Sequence, residues 1–108
     1  MAVATASRIA PADSGMATRS VHVVISGRVQ AVGFRAWTER QATARRLSGW
    51  VCNRGGGTVE AVFAGEAEAV EAMLAAVRAG PPGARVDAVV VSEHPDQPTG
   101  AFAVRATY

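Results

Sequence analysis

Lysine is absent from this chain of 108 residues, and all eleven of its basic side chains are arginine. The protein therefore has no side-chain amine for Schiff-base chemistry and no lysine with which a Walker loop could bind phosphate. The single cysteine, Cys52, excludes an intramolecular disulfide, so nothing in the sequence calls for an oxidising compartment. No apolar run approaches the roughly 20 residues that cross a bilayer. We expect one cytoplasmic domain with no membrane partner.

The net positive charge of the chain is also small. The formal net charge is +2, and residues 21–108 carry nine arginines and eight acidic residues, which leaves +1. Because no basic stripe is present, we expect no nucleic-acid partner. Residues 1–20 are rich in Ala, Ser and Thr and lack the continuous apolar stretch of a signal peptide. We predict a disordered tail over 1–20, followed by a single domain over 21–108.

Apolar periodicity and glycine placement predict an α+β domain with the order β-α-β-β-α-β and a short final strand. This order is that of the ferredoxin-like split βαβ fold, an antiparallel sheet with two helices on one face. The second helix is the clearest element, since its apolar residues recur at helical spacing until Gly80 and two prolines stop it. We predict strands over 21–27, 84–93 and 101–108, helices over 35–47 and 66–79, and a hairpin over 48–65 with its turn at 54–57.

The first predicted strand and helix are joined by the loop GRVQAVGFR, residues 27–35. Amides that emerge at the start of a helix favour an anion, because free N–H groups and the helix dipole point the same way. The loop contains neither a Walker motif nor a dinucleotide fingerprint, and it has no cysteine that could act as a phosphatase nucleophile. Amides from Val29 to Phe34, together with the planar guanidinium of Arg35, suit a tetrahedral oxyanion such as phosphate. On spacing alone, a solvated surface role for Arg35 stays open.

Asn53 closes the second predicted strand, directly before the glycine-rich turn. Strand alternation places Trp50 and Cys52 on one face, and Val51 and Asn53 on the other. An asparagine at such a position is most often part of the turn itself. Its carboxamide can also hold a water molecule, either accepting with the oxygen or donating with the nitrogen. Because an amide is too weak a base to remove a proton, a functional Asn53 would position that water.

The two motifs occur in the order ISGRVQAVGFR and then GWVCNRGGGTVEAVFAG, and in this combination the sequence resembles acylphosphatases. The segments GPPGARVDAVVV and AFAVRATY extend the resemblance over residues 21–108. It implies an enzyme that hydrolyses the carboxyl–phosphate bond of small-molecule acyl phosphates without a metal or other cofactor, and we expect a monomer. In the family pattern Arg35 and Asn53 are the catalytic pair, and Asn53 orients the attacking water. The phosphate-binding residues that it implies are Arg28, Val29, Gln30, Ala31, Val32, Gly33, Phe34 and Arg35.

The implied reaction suits a site without an acid–base pair. A carboxylate whose conjugate acid has a pKa near ~4 leaves without help from a strong general acid. In a loose phosphoryl-transfer transition state the charge lies on the phosphoryl oxygens, where loop amides and Arg35 can stabilise it. The substrate's own phosphate can take the proton of the water. His22 and His94 are then not needed, and nothing in the sequence pairs them as metal ligands.

Two departures from the family pattern affect the backbone. Ala31 stands where a second loop glycine is common, and its Cβ costs about 1 kcal/mol if the position needs a positive φ. We therefore predict weakened but not abolished phosphate binding, and a higher kcat/KM for Ala31→Gly. Arg45 and Arg46 replace an apolar residue and a glycine at the end of the first helix, which we expect to cost some stability and to shift the helix end without touching the proposed site.

The sequence leaves alternatives open. A Cys-Asn pair at 52–53 also resembles the acylphosphatase-like domain of hydrogenase-maturation carbamoyltransferases, so carbamoyl phosphate is an alternative substrate. We expect Cys52 itself to be a packed thiol that faces away from Asn53. A non-catalytic anion-binding or regulatory module of the same fold, disabled by Ala31, is a further alternative. An RNA-binding domain of the RRM type has the same element order, but we reject it, because its central strand needs exposed aromatics and only Phe63 is available.

Overall fold

Two helices cover one face of a five-stranded sheet in the computed structural model, which describes residues 17–107. The elements follow the predicted order, and the α+β, ferredoxin-like arrangement is confirmed. Within this part of the chain, neither helix is long and apolar enough to cross a membrane. The elements are β1 (Thr18–Arg28), α1 (Phe34–Ala44), β2 (Ser48–Asn53), β3 (Val59–Glu66), α2 (Ala67–Ala79), β4 (Arg85–Glu93) and β5 (Ala103–Val104).

The sheet has the strand order β4-β1-β3-β2-β5. Its four long strands pair antiparallel, as predicted. β5 differs, because Val104 pairs in parallel with Val51 of β2. The chain leaves β4 at one edge of the sheet and crosses to β2 at the other side, so β5 arrives in the direction of its neighbour. This last strand has two residues and is shorter than the strand predicted over 101–108.

β1 begins earlier than the sequence pattern indicates. Thr18 already pairs with Glu66 of β3, so the residues at 18–20, which were assigned to the N-terminal tail, belong to the sheet. Arg19 forms an ion pair with Glu93 of β4 at 2.9 Å. Because these residues are mostly polar, no apolar alternation marks the start of the strand. The rest of the predicted tail, residues 1–16, lies outside the described part of the chain.

The core lies between the sheet and the helices. Alternate residues of β1 face it, and Val21, Val23 and Ile25 have no exposed surface. α2 buries the apolar side that its spacing predicted, from Val70 to Val77. A fully buried valine contributes about 1.5 to 3 kcal/mol relative to an exposed one. This packing fixes both helices over the sheet and holds the loop that precedes α1 at the end of β1.

α1 ends three residues before the predicted boundary at 47. The Leu47 N–H donates to the Ala42 carbonyl at 2.9 Å and the Arg46 N–H to Thr43 at 3.0 Å, the two hydrogen bonds of a Schellman motif. The motif places Arg46 at φ 59°, in the left-handed region that favours glycine. The cost predicted for the missing glycine therefore falls on Arg46.

Candidate active site

The loop between β1 and α1 begins at an irregularity of the sheet. The register between β1 and β4 shifts between Ser26 and Gly27. Gly27 has φ 126°, and a Cβ at this position would lie 2.1 Å from the carbonyl oxygen of Arg85. Glycine alone fits this close approach, which lets β1 turn away from β4. Val29 then anchors the loop, because its side chain is fully buried in the core.

The middle of the loop presents its backbone to solvent. Ala31 and Gly33 are exposed and have φ 62° and φ 74°, two left-handed residues separated by one. Left-handed residues in such a loop turn neighbouring amides toward a common concavity that suits an anion. Gly33 is also the N-cap of α1, and the first helical hydrogen bond runs from the Trp37 N–H to its carbonyl at 3.0 Å. The amides of residues 34–36 therefore remain free at the helix N-terminus.

Ala31 occupies a backbone conformation that favours glycine. A left-handed φ brings the Cβ of an L-residue close to the following carbonyl oxygen, which costs roughly 1 to 2 kcal/mol. Ala31 is exposed and is not part of the core cluster, so core packing does not offset this strain. The sequence predicts an energetic penalty at Ala31 if this residue has a positive φ. Its φ is 62°, so the penalty applies.

Arg35 lies in the first turn of α1, and its guanidinium is held by the C-terminal segment. Nη1 donates to the carbonyl oxygen of Arg105 at 2.9 Å. Arg105 in turn donates its amide to the carbonyl of Val51 at 2.8 Å, and its own guanidinium lies 4.5 Å from the ring centroid of Trp50. These contacts hold Arg35 near the loop, where the helix dipole alone would disfavour a cation. The sequence gives no signal for this partner, which is 70 residues away.

Asn53 ends β2, where its backbone pairs with Val59 of β3. Its side-chain oxygen Oδ1 is buried and accepts no hydrogen bond from the described residues. A buried carbonyl oxygen without a donor costs free energy, which a hydrogen bond from a bound molecule would recover. Oδ1 of Asn53 is therefore available to a ligand that donates a hydrogen bond, such as water.

Gln30 joins the loop to the turn that follows Asn53. Its side-chain amide Nε2 donates to the carbonyl oxygens of Arg54 at 2.8 Å and Thr58 at 2.9 Å. The backbone closes the same turn, with the Arg54 N–H donating to Thr58 at 2.8 Å. Sequence reasoning placed Gln30 only among the phosphate-binding loop residues. The structure adds that its side chain holds the loop and the turn at a fixed separation.

A pocket of about 590 Å³ brings the two motifs together. Asn53 lines it, together with six predicted residues of the loop and the start of α1. Arg28 and Val32 do not line it; Arg28 lies at the end of β1, and Val32 packs against the core. The six are Val29, Gln30, Ala31, Gly33, Phe34 and Arg35. Three lining residues that the sequence did not single out are Ala36, Glu39 and Val104.

Comparison with known proteins shows which family the chain belongs to. The family model named Acylphosphatase matches residues 21–104. The chain belongs to the acylphosphatase family. It is 52% identical over 92 residues to an acylphosphatase from Azorhizobium caulinodans, and the alignment covers 83% of this chain and 98% of that protein. The resemblance drawn from the two motifs is thereby confirmed.

Two solved structures extend the comparison. An acylphosphatase from Coxiella burnetii has a TM-score of 0.78 at 35% identity, with 82% of this chain and 93% of that chain covered. HypF from T. kodakarensis has a TM-score of 0.70 at 37% identity, with 80% of this chain and 11% of that chain covered. The acylphosphatase fold therefore occurs both as nearly a whole chain and as a small part of a much longer one.

Cys52 of this acylphosphatase-family chain lies on the face of β2 opposite to Asn53 and does not line the pocket. Its thiol is buried, with Sγ 3.9 Å from Oε1 of Glu60. Burial raises the pKa of the Cys52 thiol and the Glu60 carboxylate raises it further, while nearby arginines, Arg105 foremost, lower it. A thiol that stays protonated near neutral pH is a poor nucleophile. The geometry agrees with the expectation of a packed thiol.

The two histidines lie on the sheet face that points away from the helices. Nε2 of His22 is 2.5 Å from Oε2 of Glu60, and the ring centroids of His22 and His94 are 6.5 Å apart. Neither histidine lines the pocket. Between residues 17 and 107, no three His, Cys, Asp or Glu side chains are grouped in a way that could hold a metal ion. Neither histidine therefore belongs to the candidate active site.

Proposed function

We propose that this chain hydrolyses the carboxyl–phosphate bond of acyl phosphates, with release of a carboxylate and inorganic phosphate. The observation that carries the proposal is the buried, unpaired Oδ1 of Asn53, which shares one pocket with the loop and Arg35. A site for an anion next to an acceptor for water is what hydrolytic phosphoryl transfer needs. Membership of the acylphosphatase family supports the same reaction.

In this proposal the phosphoryl group lies in the concavity of the loop at 28–35. Backbone amides donate to its non-bridging oxygens, and Arg35 adds a planar pair of charged donors. Arg35 is already held through the carbonyl of Arg105, so little reorganisation accompanies binding. The amides are likewise fixed before the substrate arrives, because Val29 and the helix anchor the two ends of the loop. Preorganised donors of this kind stabilise the charge of the transition state.

Asn53 positions the attacking water in the proposed reaction. The water donates one hydrogen bond to Oδ1 of Asn53 and directs an oxygen lone pair at phosphorus. As the new P–O bond forms, the bond between phosphorus and the carboxyl oxygen breaks, and its electron pair leaves with the carboxylate. The proton of the water passes to a phosphoryl oxygen, since an amide is too weak a base to accept it. Atoms and charge balance without any further reactant.

The leaving group requires no protonation. A carboxylate whose conjugate acid has a pKa near ~4 departs as the anion at neutral pH. The pocket lining within residues 17–107 includes no histidine, and its charged side chains are Arg35 and Glu39. Rate enhancement is therefore assigned to the electrostatic effect of the loop and to the position of the water.

The expected partner is a small-molecule acyl phosphate, and we propose that the protein acts as a cytoplasmic monomer. Hydrolysis of benzoyl phosphate in the presence of a chelator tests the reaction, with phosphate release compared with the uncatalysed rate. Turnover above that rate is the expected result. A folded protein that binds inorganic phosphate in a titration without turnover would be an anion-binding module instead. Faster hydrolysis of carbamoyl phosphate than of benzoyl phosphate would favour the alternative substrate.

A further inference from the structure

The pocket extends beyond the proposed phosphate site. Ala36 follows Arg35 in the first turn of α1, Glu39 lies about one turn further, and Val104 comes from β5 at the sheet edge. In an in-line displacement the acyl group departs on the side of phosphorus opposite to the water held by Asn53. The lining residues left for contact with the acyl group are those that hold neither phosphate nor water in the proposed reaction.

Two of these residues form an apolar wall. Val104 is 42% exposed, and its backbone is held by pairing with Val51 of β2. Ala36 is small and exposed on the first turn of α1. Contact with such a wall contributes about 25 cal/mol per Å² of apolar surface removed from water. A wall of this kind favours the binding of hydrocarbon acyl groups, but it does not distinguish acyl groups by their charge.

Glu39 is the acidic side chain of the lining. It is exposed and follows Arg35 by four residues, so both side chains lie on the same face of α1. The guanidinium of Arg35 donates to the carbonyl of Arg105 rather than to Glu39. Glu39 forms no hydrogen bond or ion pair with residues 17–107. The Glu39 carboxylate therefore has no direct ion-pair partner among the described residues, and it is open to a molecule that binds in the pocket.

We propose that Glu39 sets a charge preference for the acyl group. Neutral and cationic acyl phosphates are hydrolysed in preference to anionic ones, such as the monoacyl phosphates of dicarboxylic acids. This inference rests on the proposed hydrolysis of acyl phosphates. A carboxylate beside the acyl group repels a second carboxylate and attracts an ammonium group. Because Glu39 is open to solvent, the preference is moderate and salt screens it.

Three benzoyl phosphates with different para substituents test the preference, one with methyl, one with carboxylate and one with trimethylammonium. The kcat/KM for each is measured with the parent protein, Glu39→Gln and Glu66→Gln. Glu66 is the matched control, since it is exposed, loses the same charge and lies at the opposite end of β3 from Val59, the partner of Asn53. The ratio of kcat/KM for the cationic and the anionic substrate is compared between proteins. Comparing this ratio between proteins cancels differences in the intrinsic reactivity of the leaving groups. It also cancels any change in the repulsion between the protein and the phosphate group, which all three substrates share.

We expect Glu39→Gln to lower the cation-to-anion ratio by about fivefold or more at low salt, with a smaller effect at high salt. Glu66→Gln should leave the ratio unchanged. An unchanged ratio in Glu39→Gln would overturn the inference, even if all three rates fell, because an equal loss indicates a general base or a support for Arg35. A folded parent that hydrolyses none of the three substrates would overturn the proposed function as well. The two failures are thus distinguishable.

Discussion

The side-chain amide of Gln30 donates a hydrogen bond of 2.8 Å to the carbonyl oxygen of Arg54, the residue directly after Asn53. Its second hydrogen bond, to Thr58 at 2.9 Å, reaches the other end of the same turn. The loop at the end of β1 is thereby tied to the end of β2, although the two strands are not neighbours in the sheet. We infer that Gln30 is a positioning residue, which keeps the proposed water site at a fixed distance from the proposed phosphate site.

Replacement of Gln30 tests this role. We expect Gln30→Ala to lower kcat/KM by about tenfold, because small displacements of a positioning group have large effects on rate. The two lost hydrogen bonds should cost about 1 to 3 kcal/mol of stability, measured by urea unfolding. In an Asn53→Ala background the same change should have little further effect on kcat, since Gln30 acts through Asn53. If the losses of kcat in the two single variants add fully in the double variant, Gln30 acts independently of Asn53.

Ala31→Gly should improve both stability and catalysis. At φ 62° the left-handed backbone conformation is strained for alanine and not for glycine. Part of the gain in stability is offset, because glycine makes the unfolded chain more flexible and raises its entropy. We expect a gain of about 0.5 to 1 kcal/mol in unfolding free energy. A loop that holds its conformation more readily should raise kcat/KM about threefold and strengthen inhibition by inorganic phosphate to a similar degree. Unchanged kinetics for a folded Ala31→Gly protein would reject the strain explanation.

Arg46→Gly should raise the stability of the protein without changing its catalysis. Arg46 has φ 59° at the end of α1 and does not line the pocket, so glycine should stabilise the protein by about 1 kcal/mol and leave kcat/KM unchanged. The neighbouring Arg45 provides the control, since its φ of −96° gives glycine no such advantage. Arg45→Gly should therefore destabilise the protein slightly. Equal stability changes in the two variants, measured by thermal unfolding, would contradict the assignment of strain to Arg46.

Local sequence patterns were sufficient for most of the fold. The apolar spacing from Val70 to Val77 predicted α2, and the alternation in β1 predicted a strand against the core. The start of that strand could not be predicted from the polar residues at 18–20, because their pairing with β3 depends on partners distant in sequence. The same limit applies to β5, whose two residues are defined by pairing with β2 rather than by their own pattern.

The candidate site was predictable where the local sequence defines it. The glycine-flanked loop and the position of Asn53 at a strand end both follow from local sequence. The contact of Arg35 with Arg105 and the double hydrogen bond of Gln30 could not be predicted, because each joins segments that meet only in the folded sheet. Glu39 could have been found, since a residue four positions after Arg35 faces the same side of a helix.

The proposed site is tested by a comparison of Arg35→Ala and Asn53→Ala in the same assay, with acyl phosphate turnover and inhibition by inorganic phosphate both measured. Arg40→Ala is the control, since Arg40 is an exposed arginine of α1 outside the pocket lining. We expect each site variant to lose about 10²-fold or more in kcat/KM. Arg35→Ala should also lose phosphate inhibition, whereas Asn53→Ala should retain it, and Arg40→Ala should resemble the parent. A folded Asn53→Ala protein with parental kcat would contradict the assignment of the water to Asn53.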